Sequence, residues 1–299
     1  MRAFVLFFGL MLAALGSIAV FTYPAWLLLH PHFDFPFHRI GERIGMLALV
    51  ISFILVARRV GLSDKQSLGY GLRRPLFIRE MLIGLALGVV GMLMIVAIMT
   101  ALGLLDWTEA STITAGRLAK VLFSSLLSGL AVGFIEETML RGVMFTAIAR
   151  ESGTRTAIIL TSVIYSAVHF LAKYHIAADQ VTAHSGIDLL AGFLHWFSTP
   201  LAIADAFLCL FAVGWVLAII RARTGNIAAC IGLHAGWVWV MLFTHEWTKP
   251  VRGQSLSFLL SQFDGFIGWL VLAWTILTGA VLIRFYARRG WAPRLGAPG

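Results

Sequence analysis

The sequence predicts an all-α, polytopic transmembrane helical bundle of about eight spans, and three observations predict it. Sixty per cent of the 299 residues are apolar and only 12% are charged, where a soluble domain carries roughly twice that charge. The apolar residues arrive in long blocks, and several blocks reach the ~20 residues that cross a bilayer. Arginines stand at the ends of those blocks, with many of the ten tryptophans, as interfacial anchors do. The net charge of +9 is then matched to lipid headgroups, and no nucleic-acid partner is expected.

Eight spans fall near residues 4–29, 42–58, 80–103, 117–149, 155–172, 200–221, 226–245 and 264–286. The first follows Arg2 as a signal peptide would, but its apolar run continues to Leu29 and outlasts a usual signal core, so it reads as an uncleaved helix. The second is short and opens with Glu42 and Arg43. Residues Gly61 to Arg79 are polar and basic and read as a surface loop or interfacial helix. The fourth span is too long for one perpendicular crossing, so it tilts or projects from the membrane. The stretch 173–199, with Trp196 and Phe197, lies along the interface or dips into the bilayer. Cys209 and Cys230 fall inside spans and do not read as a disulfide.

Basic residues set the orientation. With the N-terminus inside, fifteen lie on inner segments, among them Arg2, Arg58, Arg59, Arg221, Arg223, Arg289 and Arg294. Seven lie outside: Arg39, Arg43, Arg117, Lys120, Lys173, Lys249 and Arg252. The excess places both termini in the cytoplasm, and the plasma (inner) membrane is the expected location. Three stretches follow: 1–116 with the N-terminal spans and a basic loop, 117–245 with the charged core described next, and 246–299 with the last span and a basic tail.

Ionisable groups deep in a bilayer cost a few kcal/mol each, so each is a functional candidate. The fourth span contains Glu136-Glu137-Thr138-Met139-Leu140-Arg141. Glu137 and Arg141 are four residues apart with the acid first, the favourable order for an ion pair within one helix. Glu136 points ~100° away around the helix and is left over. An unpaired carboxylate in apolar surroundings suits a general base, a general acid or a metal ligand. Two of the nine histidines fall inside spans, His169 and His234. At 1.5 Å per residue, Glu136 and His169 lie roughly 20 Å from the cytoplasmic helix ends and His234 roughly 15 Å, so the three can share a level. One carboxylate and two imidazoles can activate a water directly, or hold a metal that does so.

These residues resemble the CPBP family, intramembrane proteases related to the eukaryotic CAAX prenyl endopeptidase. The family's Glu-Glu-x-x-x-Arg motif is present as Glu136 to Arg141. Its aromatic residue four before a histidine is present as Tyr165 and His169, with Tyr where Phe is usual. Its later histidine is His234, but Val238 stands where a polar residue, commonly Asn, follows four positions on. The resemblance covers about 117–245 and implies an intramembrane metallo- or glutamate-type endopeptidase acting on membrane proteins or lipidated peptides. It implies that Glu136 activates water with help from His169, that His234 stabilises the oxyanion or ligates a metal, and that Glu137 and Arg141 organise the site. Zinc on Glu136, His169 and His234 and a metal-free mechanism are both compatible with it. Val238 puts the oxyanion role in question, because such donors contribute a factor of about 100 or more. Trp237 and Asn226 are the nearby polar groups.

Other intramembrane protease chemistries find no support: there is no His-Glu-x-x-His helix, no Gly-x-Ser-Gly and no Gly-x-Gly-Asp. His184, Asp188 and His195 read as a solvated interfacial face, and Asp205 and His245-Glu246 as hydrated span ends. Two other classes stay open. One is a weakly active or inactive scaffold or immunity-type protein that keeps the charges for packing. The other is a proton-coupled transporter, which would need repeat symmetry that is not seen.

Overall fold

The computed structural model describes residues 2–109, 113–172 and 174–289; Lys173 and Arg294, used for orientation, and the side chain of Trp196 lie outside the described set. The chain is an all-α integral membrane bundle. Its helices are α1 (Arg2–Leu29), α2 (Phe37–Arg59), α3 (Arg74–Ala101), α4 (Ala115–Glu137), α5 (Phe145–Ser152), α6 (Thr154–Val168), α7 (Ser185–His195), α8 (Ala204–Thr224), α9 (Ala228–Trp247) and α10 (Trp269–Arg288). Among the described residues, seven stretches are long and apolar enough to cross a membrane, Ala115–Ser152 counting as one. The eighth expected span is α6, with 15 residues of α-helix prolonged by a 3-10 turn, His169–Ala172. Among the described residues, the strands are one antiparallel pair, Leu105–Trp107 with Thr248–Pro250.

Burial divides the helices. In α8 and α9, 61% of the apolar window is buried, against 17–28% in the other five spans. Large apolar side chains such as Leu28, Phe123 and Val281 stand exposed on the outer helices, a surface that lipid tolerates and water does not. α9 runs through the centre, between α3 and α4. All three carry glycines four apart at the contact: Gly84 and Gly88, Gly129 and Gly133, Gly232 and Gly236. A Cβ on Gly84 would lie 2.5 Å from the Ala229 carbonyl oxygen, one on Gly129 2.7 Å from that of Ala235, and one on Gly232 2.0 Å from that of Met81. Small residues at this spacing let membrane helices touch backbone to backbone.

Several expectations are corrected in detail. The fourth span is not one uniform helix: α4 ends at Glu137, widens into a π-helix over Thr138–Met144, and resumes as α5. The loop after α2 lies at the surface, with Lys65 and Arg73 exposed, but it ends sooner than expected and is anchored from beneath. α3 begins at Arg74, with a proline in its first turn, and Leu62 and Ser67 of the preceding loop are buried. Thr146 Oγ1 and Arg150 Nη2 donate to Ser67, and Ile227 N donates to the Gly69 carbonyl. Within 173–199, α7 packs on α1, with Leu189 buried against Ile18 and Phe37, while His184 and Asp188 are exposed. Asp205 is buried, its Oδ1 accepting from Ala206 N and Ser261 Oγ, because the segment after α9 folds back over the start of α8.

Candidate active site

The site forms where the end of α4, the end of α6 and the middle of α9 meet. Glu137 closes α4 and Arg141 lies within the π-helix, and the expected ion pair is made at 2.9 Å with both side chains fully buried. Arg141 Nη2 also donates to the Gly214 carbonyl of α8. Its guanidinium lies 4.7 Å from the Tyr165 ring centroid, a cation–π placement. One buried cation thereby ties α6 and α8 to the Glu-Glu segment.

The π-helix disturbs the regular backbone ladder, and neighbours supply what it loses. Arg221 of α8 donates from Nε to the Arg141 carbonyl at 3.0 Å and from Nη2 to Thr146 Oγ1 at 3.3 Å. This arginine was expected at the inner surface as an orienting charge; it is fully buried instead, clamping the widened turn. From the other side, Tyr70 meets Thr138 Oγ1 at 2.5 Å. Thr138 spends its own hydroxyl hydrogen on the Phe134 carbonyl, so Tyr70 is the donor. A Cβ on Gly142 would lie 3.0 Å from the Leu68 carbonyl oxygen, which marks how closely the loop approaches.

His234 is brought in by the glycine contacts of α9 and is 2% exposed. Its Nδ1 lies 2.8 Å from Glu137 Oε1, the oxygen that also accepts from Arg141. Its Nε2 lies 4.0 Å from Glu136 Oε2, an oxygen without a hydrogen-bond partner among the described residues. Glu136 itself is one-third exposed. Adjacent carboxylates therefore differ as the sequence suggested: Glu137 is fully buried with Oε1 shared by Arg141 and His234, and Glu136 is part-exposed and loosely held. His169 sits at the foot of α6 with Nδ1 2.7 Å from the Tyr165 carbonyl. A carboxylate and a carbonyl only accept, so both imidazoles carry their proton on Nδ1 and, when neutral, present a bare Nε2.

Tyr165 stands between the two histidines, its ring centroid 4.5 Å from that of His169 and 5.8 Å from that of His234. Tyr165, His169 and His234 line a cavity of about 620 Å³ whose remaining wall is almost wholly apolar, including Leu87 and Met94 of α3, Val213 of α8, Trp237 and Val238 of α9, and Trp274 and Leu282 of α10. Glu136 is not part of that lining; it approaches His234 from α4. The expected donor set of Glu136, His169 and His234 is not assembled as a metal centre: among the described residues no three His, Cys, Asp or Glu side chains are gathered to hold an ion. Asn226 is also removed from the site, since Oδ1 accepts from Ala228 N and Nδ2 donates to the Thr224 carbonyl at the α8–α9 turn.

Sequence reasoning did not find Arg221, Tyr70 or the Gly214 carbonyl. Gly214 is bare because a Cβ there would lie 3.1 Å from Ser162 Cα and 3.2 Å from Tyr165 Cδ1. The paired glycines of α3, α4 and α9 were a readable signal for the closest helix contacts.

Among known proteins, a family model described as type II CAAX prenyl endopeptidase Rce1-like matches residues 118–240. No curated protein and no solved structure matches the chain.

Proposed function

From the premise that residues 118–240 belong to the CPBP family of CAAX-type intramembrane proteases, we propose that the protein is an endopeptidase that hydrolyses membrane-associated or lipidated peptides with a water activated by Glu136. The observation that carries this reading is the position of His234, with Glu137 at 2.8 Å on one nitrogen and Glu136 at 4.0 Å from the other, at the edge of an apolar cavity. A water donating one hydrogen to Glu136 Oε2 and the other to His234 Nε2 keeps a lone pair free for a carbonyl carbon. Glu136 takes the proton as the oxygen–carbon bond forms. When the tetrahedral intermediate collapses, the C–N bond breaks, the new carboxyl stays on one product, and the amine leaves with that proton. His169, across the Tyr165 ring on the same cavity, offers a second bare nitrogen for proton transfer. Glu137 and Arg141 hold His234 and touch no substrate. The apolar wall suits a lipid chain or a transmembrane segment of the substrate, and the orientation stays as the basic residues place it, both termini cytoplasmic.

A catalytically weak or inactive scaffold is the second reading, and Val238 on the cavity wall favours it, since no side-chain amide faces a developing oxyanion from α9. The two readings separate in one experiment. Purified full-length protein in liposomes is given an internally quenched, lipidated peptide, and wild type is compared with Glu136→Gln. The endopeptidase reading expects a loss of about 100-fold or more in turnover with the melting temperature unchanged; equal cleavage by both proteins sinks it.

A further inference from the structure

Attack by water moves the carbonyl π pair onto oxygen, and that charge needs a hydrogen-bond donor aimed at it in a dry site. The groups nearest the reacting position are poor candidates. Arg141 is fully buried and directed at Glu137 and Gly214. The two imidazoles, with protons committed on Nδ1 to Glu137 and to the Tyr165 carbonyl, can only accept at Nε2 while neutral. Val238 carries no donor. Elsewhere on the wall, Thr278 Oγ1 donates to the Trp274 carbonyl and Trp274 Nε1 to the Gly91 carbonyl.

Tyr165 is different. Its side chain lines the cavity and its hydroxyl has no hydrogen-bond partner among the described residues. Its ring lies against both imidazoles, and the Arg141 cation over its face draws electron density from the ring and strengthens the O–H as a donor. We propose that Tyr165 is a catalytic residue whose hydroxyl donates a hydrogen bond to the oxyanion of the tetrahedral intermediate while keeping its own proton. The proposal rests on the endopeptidase reading above and gives this site a donor from α6 where α9 supplies Val238.

The test uses full-length protein in phosphatidylcholine–phosphatidylglycerol liposomes and an internally quenched farnesylated peptide. Wild type is compared with Tyr165→Phe, Tyr165→Phe with Val238→Asn, Trp237→Phe and Glu136→Gln. Tyr165→Phe is expected to lower kcat about 100-fold with KM unchanged. Adding Val238→Asn places an amide one turn from His234 and is expected to recover at least about ten-fold of that loss. If Tyr165→Phe cleaves like wild type while Glu136→Gln is inactive, the Tyr165 role is overturned and the endopeptidase reading survives. A loss carried by Trp237→Phe in place of Tyr165→Phe also overturns it. If Glu136→Gln cleaves like wild type, the endopeptidase reading fails and takes this proposal with it. Should Tyr165→Phe melt early, the double variant decides: recovered turnover supports the donor role, and no recovery overturns it.

Discussion

The two sides of His234 differ in kind. Toward Glu137 and Arg141 the surroundings are charged, fully buried and bonded at 2.8–3.1 Å. Toward Tyr165 and Val238 they are open and almost wholly apolar. The first side behaves as a framework, because charges buried in a low-dielectric interior hold only while each keeps its partner. The second side has room and one loosely held carboxylate at its margin. Burial separates the Glu-Glu pair: Glu137 is committed to the framework, and Glu136 is left available for the chemistry proposed above.

The sharpest way to break this division is Glu137→Gln, which leaves Arg141 buried without a counter-charge and weakens the hold on His234. A loss of about 3–5 kcal/mol is expected, read as a large fall in melting temperature and in recovery of monodisperse protein from detergent. A Glu137→Gln protein as stable as wild type, with Glu136→Gln the unstable one, would invert the assignment. The next effect is expected from Gly232→Val, which does not touch a charge. The side chain would collide with the Met81 carbonyl oxygen and force α9 from α3, costing about 1–3 kcal/mol as overpacking does. Because His234 lies two residues on, turnover should fall with stability; activity unchanged at lower stability would show that the framework tolerates a shift of α9. The smallest effect is Tyr70→Phe, which removes one hydrogen bond to Thr138 and should cost about 1 kcal/mol, measured by thermal unfolding, with cleavage nearly intact.

Much of this arrangement is legible in the sequence, and the reasons are local. The apolar blocks announce the spans because a bilayer imposes a length. Glu137 and Arg141 announce their pairing because four residues bring two side chains to one helical face, and Glu136 is left over by the same geometry. Arg221 was misread for a physical reason: an arginine beside Arg223 at a span end looks like an interfacial anchor, and nothing in the local pattern reveals that a backbone carbonyl on another helix needs its donor. The surface loop after α2 is legible from its polar residues, but its anchoring is not, since Ser67 and Tyr70 answer partners more than sixty residues away. Tyr165 entered the sequence reading as a variant of a motif position. Its contact with both imidazoles appears only once α6 and α9 are side by side.

The widened turn at Thr138–Met144 has a consequence of phase. A π-turn acts as one extra residue in the helical count, so α5 emerges rotated by roughly 100° from where a regular helix would carry it. The carboxylates upstream can therefore face α9 while Thr146 and Arg150 downstream face the loop after α2, two alignments that one uninterrupted helix could not satisfy together. A single-residue deletion inside the turn would restore a regular helix and still leave every residue downstream facing its present partner, whereas the same deletion elsewhere in α4 would turn them all by roughly 100°.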